Sequence, residues 1–357
     1  MSLEGRPLIL IYLIVLAGLC LWKIAPAGDG IHEDYLAIPQ TTAIRGIMAC
    51  LIFCSHLRSY LPFDDAAGQL YVRVLYTIGQ YMVAPFFFYS GYGLVLSYRN
   101  KANYQRGFLR KRLGKTWFHF GVAVTLFYVL NLALRIPCPF SQYLISLTGW
   151  TDIGNSNWFM FDTFLLYLFV WAAMHMANRM GEADPAVRTR QLVLLMLLPT
   201  MALLWSLSRL RESWWYDTLL SFAFGGAYVL VKEPVDAFCR RTGSWLLLTL
   251  TAAAALLLCR QSGGYVADNL GACLFVLLIT LATMKFRIRN PILLWIGKHS
   301  FFIYIYMRIP MIFLHHFGLL TDLPSLFAAV SLILTLALAW AMSRLHSKVD
   351  PCLFSRA

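Results

Sequence analysis

Long apolar runs with few charged residues recur along almost the whole chain, and they restrict the possible folds more than any other feature. A helix needs about 20 predominantly apolar residues to cross the hydrocarbon core of a bilayer. Only helices or closed barrels satisfy the backbone hydrogen bonds there, and these runs lack the alternation of barrel strands. We therefore predict an all-α polytopic membrane protein, a bundle of ten core transmembrane helices plus one extra N-terminal helix. The runs lie near residues 8–24, 46–62, 74–97, 116–134, 158–178, 191–208, 214–231, 244–259, 264–284, 292–314 and 325–343.

The composition excludes several other classes of protein. Of the 357 residues, 59% are hydrophobic and only 13% are charged, whereas a soluble domain carries about 25% charged residues. A water-soluble enzyme, a disordered protein and a nucleic-acid binder are therefore excluded as first interpretations. The net charge of +13 fits the excess of basic residues that membrane proteins keep on their cytoplasmic side. We expect membrane lipids, and no nucleic acid, as partners.

The cysteines and the first apolar run predict no special chemistry. Most of the eight cysteines lie in apolar runs and form no CxxC pair, so we predict neither a disulfide framework nor a metal site. The run at 8–24 has a weak basic region before it and no clear cleavage site after it. We interpret it as a retained helix rather than a signal peptide.

The basic residues predict which side of the membrane each loop occupies. When the loops are counted alternately, 21 Lys and Arg residues fall on one side and six on the other, with Arg58, Lys298 and Arg308 inside apolar runs. By the positive-inside rule, we expect the C-terminus in the cytoplasm and the short N-terminus outside an inner or plasma membrane. The longest outer loop, 135–157, contains Asp152. It is either an interfacial connector or part of a mouth that binds an acceptor.

Arg45 and His56 form the most informative pair of polar residues. Eleven steps along a helix make about three turns plus 20°, so both side chains lie on one face, about 16 Å apart along the axis. Arg45 could be a snorkelling anchor and His56 a packing residue. However, ionisable groups within the membrane usually face a cavity. Imidazole can remove a proton from a hydroxyl and arginine can bind phosphate, so the pair suggests group transfer from a phosphate-bearing cytoplasmic donor to a hydroxyl.

Further candidates surround this pair in the sequence. Ser90 lies in an aromatic run whose neighbouring glycines allow close helix packing, and it could donate a hydrogen bond within a cavity. Arg110, Lys111 and Arg112 could bind lipid head groups or a nucleotide polyphosphate. Trp158 is first interpreted as an interface anchor. The run at 292–314 should line a cavity because it contains three basic residues near its centre, and it also carries Tyr304.

Read in order, these segments resemble the acyltransferase-3 family of integral membrane acyltransferases. The matching segments are RGIMACLIFCSH from Arg45 to His56, FFFYSGYG, FLRKR, NWF and GKHSFFIY, and the resemblance covers roughly residues 40 to 345. In one departure, the histidine that often follows the late tyrosine is replaced here by Met307 and Arg308. We accordingly expect an N-terminal helix and linker at 1–40, an acyltransferase domain at 41–345 and a short cytoplasmic tail at 346–357.

The resemblance implies transfer of an acyl group, most often acetyl, from cytoplasmic acyl-CoA to a hydroxyl of an envelope polysaccharide, a lipid-linked glycan or an exported small molecule. It implies acetyl-CoA as donor substrate, with no bound cofactor. His56 would be the general base or a transient acyl carrier, and Arg45, Arg110, Lys111 and Arg112 would hold the phosphates of CoA. Ser90 and Tyr304 would orient His56 or stabilise the oxyanion, and Trp158 is grouped with the substrate-binding residues. A glycan or lipid transporter, or a catalytically inert membrane partner, are the alternatives.

Overall fold

The computed structural model describes residues 7–28 and 30–354, and these residues are mostly helical. Two three-residue strands, β1 (Ile24–Pro26) and β2 (Phe286–Ile288), pair antiparallel. Short 3₁₀ helices lie at Pro7–Leu10, Gly79–Met82 and Ser213–Trp215, and a π-helical turn lies at Leu109–Gly114. The α-helices are α1 (Ile11–Leu21), α2 (Ile38–Leu57), α3 (Ala66–Ile78), α4 (Ala84–Asn100), α5 (Lys115–Ala133), α6 (Phe140–Ser146), α7 (Trp158–Arg179), α8 (Pro185–Leu210), α9 (Leu220–Cys239), α10 (Thr242–Ser262), α11 (Tyr265–Lys285), α12 (Pro291–Tyr306), α13 (Arg308–His316) and α14 (Pro324–Phe354).

The prediction of an all-α polytopic membrane protein is confirmed. Within the described residues, seven helices are long and apolar enough to cross a membrane by length and composition. They are α2, α5 together with the π-helical turn before it, α7, α8, α10, α11 and α14. Large apolar side chains stay exposed on their outer surfaces, Leu247 and Leu258 of α10 among them. This exposure is expected for surfaces that face lipid.

Three predicted runs differ from the helices of the structure. The run at 74–97 is divided between α3 and α4, because Gly79 adopts a φ of +56° that ends α3. The run at 292–314 is divided between α12 and α13, because Pro310 has no N–H to donate to the carbonyl of Tyr306. In the first run, α1 has only 11 residues, fewer than the about 20 that a crossing needs.

The boundaries of α2 and α14 also differ from the prediction. α2 begins at Ile38 rather than near 46, because Pro39 occupies its first turn. Arg45 therefore lies two turns inside the helix rather than at its start. α14 continues to Phe354, so residues 346–354 of the predicted tail are helical. The N-terminal residues 1–6 and the last three residues, for which we predicted opposite sides of the membrane, lie outside the described part of the chain.

Two helix pairs approach each other backbone to backbone through glycines. A Cβ atom at Gly46 of α2 would overlap the carbonyl oxygen of Leu293 in α12, and one at Gly297 would overlap that of Thr42. The α4–α9 pair repeats this arrangement at Gly91 and Gly225. Because only glycine fits at such crossings, these residues set the distance between the helices that line the site.

The ends of the helices define two ends of the bundle. At one end lie the C-terminal ends of α4, α7 and α14 and the basic residues around Arg112; we call it the basic end. The paired β1 and β2 and the ion pair between Arg287 and Asp34 fasten the N-terminal segment at this same end. At the opposite end, α2 and α5 finish and α7 begins.

Candidate functional site

A cavity of about 570 Å³ lies between α2, α4, α7 and α12 and reaches toward the basic end. We call it the aromatic cavity, because many of its walls are aromatic rings. On α2 it is lined by Arg45, Ala49 and Ile52, which follow one another at helical spacing. Its aromatic walls include Phe86, Phe87, Tyr89, Tyr92, Phe159, Tyr167, Phe222, Phe301 and Tyr304.

Arg45 brings a cationic group into the aromatic cavity. Its Nη2 donates a hydrogen bond of 2.9 Å to Oγ1 of Thr42. Its Nε is buried and has no hydrogen-bond partner among the described residues, although a buried donor without a partner costs about 1–3 kcal/mol. No carboxylate forms an ion pair with this guanidinium in the described structure. The group is therefore suited to bind an anion that enters the cavity.

Three other predicted residues line the aromatic cavity: Ser90, Arg112 and Tyr304. The hydroxyl groups of Ser90 and Tyr167 lie 3.3 Å apart and share a hydrogen bond. Tyr304 donates a hydrogen bond of 2.5 Å to the carbonyl oxygen of Ser156. Neither Ser90 nor Tyr304 has a hydrogen bond to His56 in the described structure.

The structure places the remaining predicted binding residues away from the cavity lining. Arg110 is exposed, and its Nη2 and Nε donate hydrogen bonds of 2.6 and 3.2 Å to the carbonyl oxygen of Leu353. Lys111 is exposed on the same π-helical turn. Trp158 is buried and packs edge-to-face on Phe159, with 6.0 Å between the ring centroids. It is Phe159, the next residue, that lines the cavity.

His56 occupies the last turn of α2, on the same stripe as Arg45, Ala49 and Ile52. The side chain is partly accessible, and its ring takes part in no hydrogen bond within the described residues. Its charged neighbours are the guanidinium groups of Arg308 and Arg58. Arg58 folds back onto Ser55, where its Nη2 donates a 3.0 Å hydrogen bond to the hydroxyl. No other described residue therefore engages the ring nitrogens of His56.

A second pocket, of about 400 Å³, lies beyond His56 at the opposite end of the bundle. We call it the polar pocket. Arg308 lies in its wall, where its Nε donates a hydrogen bond of 2.8 Å to the hydroxyl of Tyr60 and its Nη1 one of 3.3 Å to the carbonyl oxygen of Asn155. The polar and aromatic side chains of its lining are Tyr60, Asn131, Gln142, Asp152, Arg308, His315 and His316. His56 itself lines neither cavity: along the chain it lies between Ile52, which lines the aromatic cavity, and Tyr60, which lines the polar pocket, and Arg308 is its charged neighbour.

Sequence reasoning missed several residues of the polar pocket. Tyr60 and the two adjacent histidines were not selected, because nothing in their local pattern separates them from ordinary interfacial residues. Arg308 carried a signal, since it is a charged residue inside an apolar run, and Asp152 was noted in the longest outer loop. A further buried carboxylate, Asp162 of α7, is fully buried, and neither of its oxygens has a hydrogen-bond partner in the described structure.

These features define a class of protein: a polytopic helical membrane protein with an aromatic cavity toward its basic end, a polar pocket at the other end and a partly accessible histidine near the end of the helix that they share. The chain belongs to the acyltransferase-3 family, because residues 40–344 match that family's acyltransferase domain. This match confirms the resemblance and makes the protein a membrane acyltransferase. The chain matches no curated protein and no solved structure.

Proposed function

We propose that this protein transfers an acetyl group from cytoplasmic acetyl-CoA to a hydroxyl of a cell-envelope glycan or a similar exported carbohydrate. One observation carries the proposal: α2 and the residues after it contribute Arg45 and Ile52 to the aromatic cavity and Tyr60 to the polar pocket, and His56 falls between these lining residues in the chain. An enzyme that joins a donor from one side of a membrane to an acceptor on the other needs this arrangement.

The aromatic cavity suits the donor. Arg45 and Arg112 lie where the phosphate groups of CoA would enter from the basic end, and arginine binds phosphate by paired N–H donors. Arg110 and Lys111 lie at this entrance, on the same π-helical turn as Arg112. The aromatic walls suit the largely apolar pantetheine arm. The stripe from Arg45 to His56 spans about 16 Å, a distance comparable to the length of that arm.

The polar pocket suits the acceptor. Carbohydrate hydroxyls bind carboxylates, amides and imidazoles by hydrogen bonds, and sugar rings pack against aromatic side chains. Asp152, His315 and His316 supply the hydrogen-bonding groups at the exposed rim, and Tyr60 supplies a buried ring. Arg308, a charged neighbour of His56, holds the hydroxyl of Tyr60 by a hydrogen bond.

In the proposed reaction, the imidazole of His56 removes the proton of the acceptor hydroxyl as its oxygen attacks the thioester carbonyl. The tetrahedral intermediate then expels the thiolate of CoA, which takes the proton from the imidazolium, so the products are the O-acetyl ester and free CoA. Ser90 or Tyr304 would stabilise the oxyanion. We favour this direct attack over an acyl-histidine intermediate, because one histidine suffices as the base and the acetyl group is transferred only once.

The test measures release of CoA from acetyl-CoA by the purified full-length protein in lipid nanodiscs, with and without acceptor glycan. His56→Ala and the more conservative His56→Gln should lower turnover by about 10²- to 10⁴-fold, the usual contribution of a general base. The matched control is His175→Ala, since Nδ1 of His175 is hydrogen-bonded to the carbonyl of Trp171 away from both cavities.

Two outcomes would contradict the proposal. Normal turnover in both His56 variants would remove the histidine from the reaction. In sealed membrane vesicles that contain the protein, glycan transport without any consumption of acetyl-CoA would instead support the transporter.

A further inference from the structure

Three potential metal ligands meet near the basic end, outside the linings of both cavities. They are His119 of α5 and His346 and Asp350 of α14, and one ligand atom from each lies within 4.8 Å of the other two. Nε2 of His119 lies 2.8 Å from Oδ1 of Asp350. Because His346 and Asp350 are four residues apart, they share one face of α14. The two helices therefore bring three ligands together from sequence positions more than 200 residues apart.

The two histidines of the cluster are buried, Asp350 is partly accessible, and one histidine nitrogen lacks a partner within the described residues. His119 is 5% exposed and His346 is 3% exposed. The two imidazole rings are in contact, with 4.1 Å between their centroids. Nε2 of His346 is buried and has no hydrogen-bond partner within the described residues. Since an unsatisfied buried polar atom is costly, this nitrogen indicates a ligand that completes the cluster.

We propose that His119, His346 and Asp350 bind one divalent transition-metal ion, with Zn²⁺ the best match. Two imidazole nitrogens and one carboxylate oxygen form a typical donor set for such ions, whereas Ca²⁺ and Mg²⁺ prefer oxygen ligands alone. In a tetrahedral zinc site with bonds of about 2.0–2.1 Å, ligand atoms lie about 3.3 Å apart. The present separations require only small side-chain shifts, and a water molecule would complete the tetrahedron. This inference departs from the sequence analysis, which predicted no metal site from the cysteines.

Lys115 competes with a metal ion for the carboxylate of Asp350. Its Nζ lies 2.7 Å from Oδ2 of Asp350, while Oδ1 of the same carboxylate faces His119. Ligation through Oδ1 alone leaves the contact with Lys115 in place as an outer-shell hydrogen bond. The ammonium charge nevertheless repels a cation nearby, so Lys115 should weaken binding of the metal.

The position of the cluster suggests a structural role. The ring of His119 packs against Phe301 and Phe302, with centroid separations of 6.2 and 5.4 Å. Phe301 and Thr116 line the aromatic cavity. A metal ion here would join α14 to α5 directly behind the wall of that cavity. Binding should therefore stabilise the fold, since an ion that binds only the folded state shifts the unfolding equilibrium toward it.

The experiment uses the full-length protein in nanodiscs, with any histidine tag removed, stripped with a chelator and titrated with Co²⁺ and then Zn²⁺. We expect one ion per chain, visible d–d absorption from tetrahedral Co²⁺ that Zn²⁺ abolishes, and a higher melting temperature with Zn²⁺. Loss of a ligand in His346→Gln or His119→Asn should weaken binding by at least about tenfold, since even outer-shell changes cost 10–100-fold.

Two further variants test whether the ion binds at these three side chains rather than elsewhere on the protein. His175→Ala, the matched histidine control, should bind as the wild type does. Lys115→Met, which removes the competing charge, should bind more tightly than the wild type. The proposal is overturned if neither the wild type nor Lys115→Met binds Co²⁺, or if binding is unchanged in folded His346→Gln. A His119→Asn variant that binds no metal but keeps the wild-type elution volume supports it.

Discussion

The aromatic cavity and the polar pocket are built from different parts of the chain. The aromatic cavity lies among helices, and its lining is mostly apolar. The polar pocket takes most of its lining from the segment 131–154 and from the short helix α13, where several polar side chains are exposed. Loops change more freely than packed helices. In the proposed function, this difference lets acceptor specificity vary while the donor site stays the same.

The two cavities nevertheless share one wall, the closely packed pair α2 and α12. Arg45 and Tyr304 on this pair face the aromatic cavity, while Tyr60 and Arg308 just beyond its far end face the polar pocket. A change that separates these helices should abolish the distinction between the cavities. Substitution of a glycine at the crossing by a larger residue would be such a change.

Gly297→Leu should have the largest effect of all. Its Cβ would overlap the carbonyl oxygen of Thr42, which is backbone and cannot move aside. We expect destabilisation of more than about 4 kcal/mol, the range reserved for severe packing defects. Size-exclusion chromatography and thermal unfolding in detergent would measure it. Gly18→Leu is the matched control, because nothing lies within 4 Å of a Cβ at Gly18. Equal melting temperatures for the two variants would contradict the close crossing.

Arg45→Gln should change the KM for acetyl-CoA without changing the KM for the acceptor. Because a charged hydrogen bond contributes about 1.5–3 kcal/mol, we expect the KM for acetyl-CoA to rise by about 10- to 100-fold, with the KM for the acceptor unchanged. Initial-rate kinetics with each substrate varied in turn would show the split. Arg99→Gln, an exposed basic residue on α4, is the control and should leave both KM values unchanged. A rise in the acceptor KM alone would reverse the assignment of the two cavities.

The sequence predicted residues of the aromatic cavity better than residues of the polar pocket. Arg45 and His56 could be placed on one face, because helical periodicity alone determines which residues share a stripe. Ser90 and Tyr304 also line the aromatic cavity. Tyr60, His315 and His316 could not be predicted, because they meet only through the break between α12 and α13 and the path of a loop. Trp158 and Phe159 show the same limit, since a one-residue difference on a helix decides which ring reaches the cavity.

Asp152→Asn should have a smaller effect, confined to the polar pocket. Loss of a carboxylate that binds hydroxyls should raise the acceptor KM by about 3- to 10-fold, since one hydrogen bond contributes about 0.5–1.5 kcal/mol. The KM for acetyl-CoA should not change. Asp322→Asn, at an exposed acid of the loop between α13 and α14, is the control. An unchanged acceptor KM in Asp152→Asn would remove this residue from the acceptor site.

Asp217→Asn should have the smallest effect, and this effect should be on stability rather than on catalysis. Asp217 lies in the connection between α8 and α9, outside the polar pocket, and its Oδ1 is buried with no hydrogen-bond partner among the described residues. Burial and the nearby carboxylate of Asp268 raise the pKa of Asp217 to about 7, from about 3.9 in the unfolded chain. The folded state therefore binds this proton more tightly, and stability falls as pH rises from about 4 to about 7.

Asp217→Asn removes the titrating group, so the variant should gain stability relative to the wild type as pH rises. We expect a relative gain of about 1 kcal/mol between pH 4.5 and pH 8, because the carboxyl is partly exposed and solvent screens its charge. Melting temperatures at both pH values measure this difference. Asp268→Asn should reproduce part of the gain, since it removes the repelling charge, and Asp322→Asn should show none. A gain that is equal at both pH values would mean that Asp217 acts through packing rather than through its charge.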